Sequence, residues 1–146
     1  MVKILNNRAR EFLNATAWSN AACESLTGDA SARKYFRLQK DEQSAVLMDA
    51  SSVLESVAPF IQISQHLHQL GFSVPAILAR SDEKGLLLLE DFGDATFTRL
   101  LDNPCEPERL YTLATDVLIA LHQHPQATPK ALRVYQIGRA SCRERV

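Results

Sequence analysis

Cysteine is scarce in this 146-residue chain: Cys23, Cys105 and Cys142 are irregularly spaced and form no C-x-x-C pair. That spacing argues against a disulfide framework or a structural zinc site and predicts free thiols in a reducing compartment. Charge of one sign is also lacking, because 16 Lys and Arg face 17 Asp and Glu for a net charge of −1. Without a basic stripe, no nucleic-acid partner is expected. No apolar run approaches the roughly 20 residues needed to cross a bilayer, so no membrane partner is expected either. The opening Met1-Val2-Lys3-Ile4-Leu5-Asn6-Asn7 has no long apolar core of the signal-peptide kind, and a cytoplasmic location follows as the expectation. What is present is ordinary for a soluble globular domain, with 46% hydrophobic and 23% charged residues. The length suits one compact domain and is short for a two-lobed enzyme.

The final segment, Gln136 to Val146, breaks with what precedes it. It carries Arg139, Arg143 and Arg145 without apolar periodicity. It also corresponds residue for residue to an in-frame translation of a widely used sequencing adapter. Residues 136–146 are therefore expected to be a non-native tail, excluded from fold reasoning, and the natural frame is expected to continue past Tyr135.

Periodicity outlines the rest. Ala9, Phe12 and Leu13 predict a short amphipathic helix over Asn7 to Asn14. Strands are predicted at Cys23 to Leu26, Tyr35 to Leu38 and Ala45 to Met48, the last two joined by a polar connection of hairpin length. Val57, Phe60, Ile63, Leu67 and Leu70 recur at spacings of three and four, predicting one helical face ended by Gly71. Val74 to Leu78 reads as extended and near an edge, since Pro75 cannot donate to a ladder. Leu86-Leu87-Leu88-Leu89 fits a strand buried on both faces. From Pro107, Leu110, Leu113, Ala114, Val117, Leu118 and Leu121 predict a helix, with Pro125 just beyond its end.

Two stretches carry chemical interest. Gly28-Asp29-Ala30-Ser31, followed by Arg33 and Arg37, is a tight turn between strands. Such a turn can aim backbone N–H groups and a hydroxyl at a phosphate, and it equally fits a plain hairpin turn. Leu86 to Asp94 runs a buried strand straight into Glu90-Asp91-Phe92-Gly93-Asp94. A backbone edge of that kind can imitate a base pair with adenine, although a strand ending in an acidic loop is common. Asp91 and Asp94 are read as solvated. His66 and His68, two apart on a helix, lie on different faces. His122 and His124 flank a helix end and are expected to solvate or cap carbonyls, so no metal site is expected. Cys23 and Cys105 have no basic sequence neighbours that would mark a nucleophile, and Trp18 is expected to pack.

In this order, with this intervening helix, the stretches resemble the amino-terminal lobe of the aminoglycoside phosphotransferase-like kinases. Leu26-Thr27-Gly28-Asp29-Ala30-Ser31, Tyr35-Phe36-Arg37 and Val46-Leu47-Met48-Asp49-Ala50 look like the branch that phosphorylates N-acetylmuramate and N-acetylglucosamine at C1. Pro59-Phe60, Gly71 to Ala79 and Leu87 to Asp94 add to the resemblance, which covers residues 7 to 135. It implies an α+β fold: a protein-kinase-like lobe with an antiparallel sheet of about five strands and a packed helix. Residues 1–94 would form that lobe, and 95–135 the post-hinge helices that begin a truncated second lobe.

By the same resemblance, Gly28, Asp29, Ala30 and Ser31 would cover the ATP phosphates. The Glu90 carbonyl and the Phe92 N–H would meet adenine. The strand lysine that binds phosphate in many kinases, and its helix glutamate, are replaced here by Met48-Asp49 and by Phe60 to Ile63. Arg33 or Arg37 would then supply the positive charge. The H-G-D-x-x-x-x-N loop and later Asp of such kinases, which serve the acceptor hydroxyl and Mg2+, have no counterpart, since none of the four histidines precedes Gly-Asp. No catalytic residue and no metal ligand is therefore assigned, and the fragment is expected to be inactive. The full-length enzyme would use ATP and Mg2+ on a small-molecule amino sugar in cell-wall recycling. The alternatives are an aminoglycoside or other small-alcohol kinase of the same fold, and a non-catalytic nucleotide-binding or interaction module. Leu110, Leu113, Val117 and Leu121 would leave an apolar stripe through which the chain could self-associate.

Overall fold

A computed structural model describes residues 5–26, 32–101 and 107–129. The turn Gly28-Asp29-Ala30-Ser31, Cys105, Cys142 and the whole 136–146 segment lie outside the described residues.

Helix α1 (Asn7–Asn14) starts where Asn6 accepts a hydrogen bond from the Ala9 amide at 2.8 Å, satisfying one of the donors that a helix leaves open at its first turn. Its Ala9, Phe12 and Leu13 are buried, as their spacing predicts. Five strands follow: β1 (Ala22–Leu26), β2 (Lys34–Lys40), β3 (Gln43–Asp49), β4 (Ile77–Ser81) and β5 (Leu86–Glu90). They form one antiparallel sheet in the order β1-β2-β3-β5-β4. The β2–β3 hairpin turns at Asp41, whose short polar side chain tolerates its left-handed φ of +53°. A 3-10 turn (Leu54–Ser56) leads into α2 (Val57–Gln69), and α3 (Phe97–Leu101) and α4 (Pro107–Gln123) follow the sheet. This is the expected α+β architecture.

Strand alternation explains why the four leucines of β5 are all buried. Leu86 and Leu88 join Phe36, Leu38, Ala45 and Leu47 beneath α1. Leu87 and Leu89 point the other way, joining Met48 and Ala50 against Val57 and Ile61 of α2. A strand covered on both faces reads as an unbroken apolar run. Trp18 packs at the margin of the first cluster, as expected of it.

The entry to β5 depends on a glycine. Gly85 has φ +70°, and its carbonyl accepts the Ala50 amide at 2.8 Å. A Cβ there would sit 2.7 Å from Leu54 Cδ2 and 3.0 Å from both Ala50 C and Ser51 N. The β4–β5 turn is thus pressed onto the segment that launches α2.

Two expectations are corrected. The core face of α2 is carried by Val57 and Ile61, whereas Ile63, assigned to that face, is 38% exposed. Only the first turns of α2 reach the sheet. Ile63 and Leu67 line an open groove of about 250 Å³ with Arg33, Val74 and Pro75 instead, while Phe60 borders that groove and also packs against the α2-side cluster. The edge strand also begins later than predicted, at Ile77, leaving Val74 and Pro75 in the approach to it. Helix α4 forms as predicted but has no buried residue. Leu113 is 54% and Val117 46% exposed, so the anticipated stripe does face outward. Among the described residues no helix is long and apolar enough to cross a membrane.

Candidate nucleotide site

The rim of the sheet beyond β5 is where the sequence placed a purine. Two of its seven assigned residues, Glu90 and Phe92, lie there together. Glu90 closes β5, opposite Ala45 of β3. Its amide donates to the Ala76 carbonyl at 2.9 Å, and its carboxylate accepts the Ala76 amide at 3.0 Å. The side chain thereby caps the edge strand and leaves the hinge to the backbone. Phe92 is 58% exposed. Its amide has no hydrogen-bond acceptor among the described residues, so a donor stands open at the mouth of the sheet.

Next to it runs a half-buried strip of the sheet that α2 leaves uncovered. Leu26, Tyr35 and Val46 lie there, each only partly buried. Leu26 pairs with Tyr35, and Tyr35 and Val46 pack against the α2-side cluster at its margin. An aromatic and two aliphatic side chains beside an open backbone donor are the two elements that hold a flat heteroaromatic ring. At the Leu26 end of this strip β1 and β2 are register partners through Leu26 and Tyr35, and residues 27–31, which link them in sequence, lie outside the described residues.

Arg33 is placed differently from Glu90 and Phe92. Its Nε donates to Ser56 Oγ at 3.1 Å, Nη2 lies 3.4 Å from the Ser56 carbonyl, and the guanidinium sits 5.5 Å from the centroid of the Phe60 ring. Such stacking is a favourable use of a planar cation. Arg33 therefore sits against the start of α2.

The missing lysine–glutamate pair has an apolar replacement. Met48 is fully buried in one cluster with Ile61 of α2, where the ion pair would otherwise cross. Asp49 points to the α1 side and is 5% exposed. It accepts from Asn6 Nδ2 at 3.2 Å and from the Ser51 amide at 3.0 Å. Its role is to tie α1 and the β3 exit together.

The reading of Asp91 as a solvated acid is overturned. The Asp91 side chain is only 3% exposed, and Arg37 grips it. Arg37 Nη2 donates to Asp91 Oδ1 at 3.1 Å. Nε lies 2.7 Å from Oδ2, yet Nε–H is not aimed along that line, so this second contact is electrostatic rather than an aligned hydrogen bond. Asp91 Oδ1 also accepts the Gly93 amide at 2.9 Å, folding the hinge into a tight local turn with Gly93 at φ +75°. Burial pushes the Asp91 carboxyl up, but hydrogen bonds from Arg37, Gly93 and Ser44, with the Arg37 charge, outweigh it and hold the group below the usual carboxylate range.

Asp94 stays half-exposed, as expected, but is not free. Arg37 Nη1 reaches it at 2.8 Å and Arg99 at 3.1 Å. The hydrogen bond from Arg37 is the main cause of its lowered pKa. With two acids on it, Arg37 is no longer available as the spare phosphate-binding cation that the sequence reading allowed. The missed signal was its place in β2. Arg37 shares a sheet face with Tyr35, opposite Val46, and a cation on a part-buried face requires a counter-charge.

Of the remaining candidates, His122 meets a carbonyl as expected, whereas His124 accepts an amide instead. Burial raises the Cys23 pKa, which disfavours thiolate. His122 Nδ1 lies 2.7 Å from the Leu118 carbonyl in the last turn of α4, and His124 Nδ1 accepts the Gln126 amide at 3.1 Å. His66 contacts the Ala127 carbonyl at 3.3 Å. Among the described residues, no three His, Cys, Asp or Glu side chains gather as a metal site would require.

The chain is similar to known proteins over most of its length. The family described as "Phosphotransferase enzyme family" matches residues 22–137. Three curated proteins named N-acetylmuramate/N-acetylglucosamine kinase align with most of the chain. The Caulobacter vibrioides protein is 34% identical over 84% of this chain and 40% of its own length. That of Pseudomonas aeruginosa is 37% identical over 77% of this chain and 34% of its own. That of Pseudomonas putida is 34% identical over 86% and 38%, respectively. The chain thus spans two fifths or less of the relatives it matches.

Proposed function

We propose, from the premise that this chain belongs to the phosphotransferase enzyme family, that it is the ATP-holding lobe of an amino-sugar kinase. The named relatives suggest N-acetylmuramate or N-acetylglucosamine as the acceptor, with phosphoryl transfer to the C1 hydroxyl. The observation that carries the reading is the open Phe92 amide at the end of a central strand, beside the strip of Leu26, Tyr35 and Val46. These residues fit an adenine ring. Phe92 N–H would donate to a ring nitrogen, the Glu90 carbonyl would accept from the amino group, and the strip would cover one ring face. ATP would bring the phosphoryl group. Gly28 to Ser31 would cover its phosphates, with Arg33 just after them in the chain.

Among the described residues no three His, Cys, Asp or Glu side chains gather as a set that would hold magnesium. The lobe binds and orients nucleotide, and transfer requires residues that this chain does not contain. The chain alone is expected to bind adenine nucleotides without phosphorylating either sugar.

Phe92 separates backbone from side-chain recognition. Phe92→Pro removes both the phenyl ring and the N–H that would meet adenine, while Phe92→Ala removes the ring and keeps the N–H. By titration calorimetry, Phe92→Pro should weaken ATP binding roughly fivefold to tenfold, the worth of one hydrogen bond, with Phe92→Ala closer to wild type. Equal affinity in all three removes the hinge from the site. Turnover of either sugar by the 146-residue chain would refute the division of labour.

A further inference from the structure

Arg37 lies in the middle of β2, 54 residues before the acid it grips in the hinge. Its guanidinium spans two carboxylates, Asp91 on the buried side and Asp94 on the exposed side, and Asp94 is held in turn by Arg99. The buried acid does two jobs with one oxygen: Asp91 Oδ1 accepts from Arg37 at 3.1 Å and from the Gly93 amide at 2.9 Å. Fixing that carboxylate therefore fixes the Asp91–Gly93 turn, and Phe92, whose amide has no acceptor among the described residues, is the residue enclosed by it. The direction of the Phe92 N–H is set by a side chain on a different strand. The four charges sum to zero, so the network creates no net attraction for phosphate; its product is geometry.

We propose that Arg37 is a positioning residue for purine recognition, acting through Asp91 to hold the hinge turn in its binding shape without touching nucleotide. This rests on the nucleotide reading above. It predicts a hinge pre-organised before ligand arrives, which lowers the ordering cost of binding.

The test compares ATP with adenosine, which shares the purine and lacks the phosphates, as probes of the chain and of Arg37→Lys and Arg37→Met. Lysine keeps the charge but cannot span both carboxylates. The expected result is a loss of roughly fivefold to tenfold for both probes in both variants. Hydrogen exchange should quicken at the Gly93 amide and stay unchanged at Leu87 to Leu89, which report the integrity of the sheet. Loss confined to ATP would show Arg37 acting on phosphate and overturn the proposal, as would Arg37→Lys matching wild type. If Arg37→Met unfolds the sheet, seen as fast exchange at Leu87 to Leu89, Arg37→Lys decides. Wild-type chain that binds neither probe overturns the nucleotide reading and the positioning role with it; wild type that binds both while the variants match it overturns the positioning role alone.

Discussion

Strand β5 and helix α4 both carry several leucines, and they end in opposite environments. Every leucine of β5 is at most 4% exposed, while α4 has no buried residue and leaves Leu118 56% and Ile119 46% exposed. Hydrophobicity alone does not decide burial; neighbours do. β5 lies between β3 and β4 with a helix over each face. α4 follows the hinge, and nothing in the described residues covers its stripe. The contrast lies between a strand enclosed by two helices and a helix without cover among the described residues.

The same substitution made in both places sharpens the comparison. Leu88→Ala should cost about 2–5 kcal/mol, the loss of a buried aliphatic group plus the cavity it leaves, read as a lower midpoint in urea. A cost under about 1 kcal/mol would mean that the two-sided core is looser than its burial indicates. Next in size is Gly85→Ala, where the added Cβ meets Leu54 and the backbone at Ala50 and Ser51. A φ of +70° adds strain, and the expected cost is about 2 kcal/mol. An unchanged midpoint there would show that the turn shifts freely. Leu118→Ala should be the mildest, within about 0.5 kcal/mol. Its visible consequence should instead be less self-association by light scattering, because the exposed apolar area shrinks. A large loss of stability at Leu118 would mean that α4 is covered after all and would erase the contrast.

Much of the frame was legible residue by residue. Ala9, Phe12 and Leu13 marked α1, and the strand alternation at Tyr35 to Leu38 and Ala45 to Met48 lay inside β2 and β3. Gly71, with φ +84°, stands at the end of α2 as expected. These signals are local, since helix and strand periods are properties of neighbouring residues. The face of α2 was misassigned because helical spacing identifies an apolar stripe without saying which part of it meets a sheet. Ile61 lies one step off the chosen stripe and became the core contact, while Ile63 stayed outside.

The site divides in the same way. Glu90 and Phe92 could be assigned through the resemblance to the phosphotransferase-like kinases, since a strand running into an acidic loop is common by itself. Arg37 could be seen as a charge but not given its partners, which lie 54 and 57 residues away. The sequence by itself determined the elements, the two-sided burial of β5 and the absence of a strand lysine, because each is written in residue type and short-range period. Only the tertiary structure decided that Arg37 serves the hinge, that Met48 meets Ile61 and that Asp91 is buried. Those outcomes depend on which strands become neighbours, and the energy of a charge depends on what folding brings beside it.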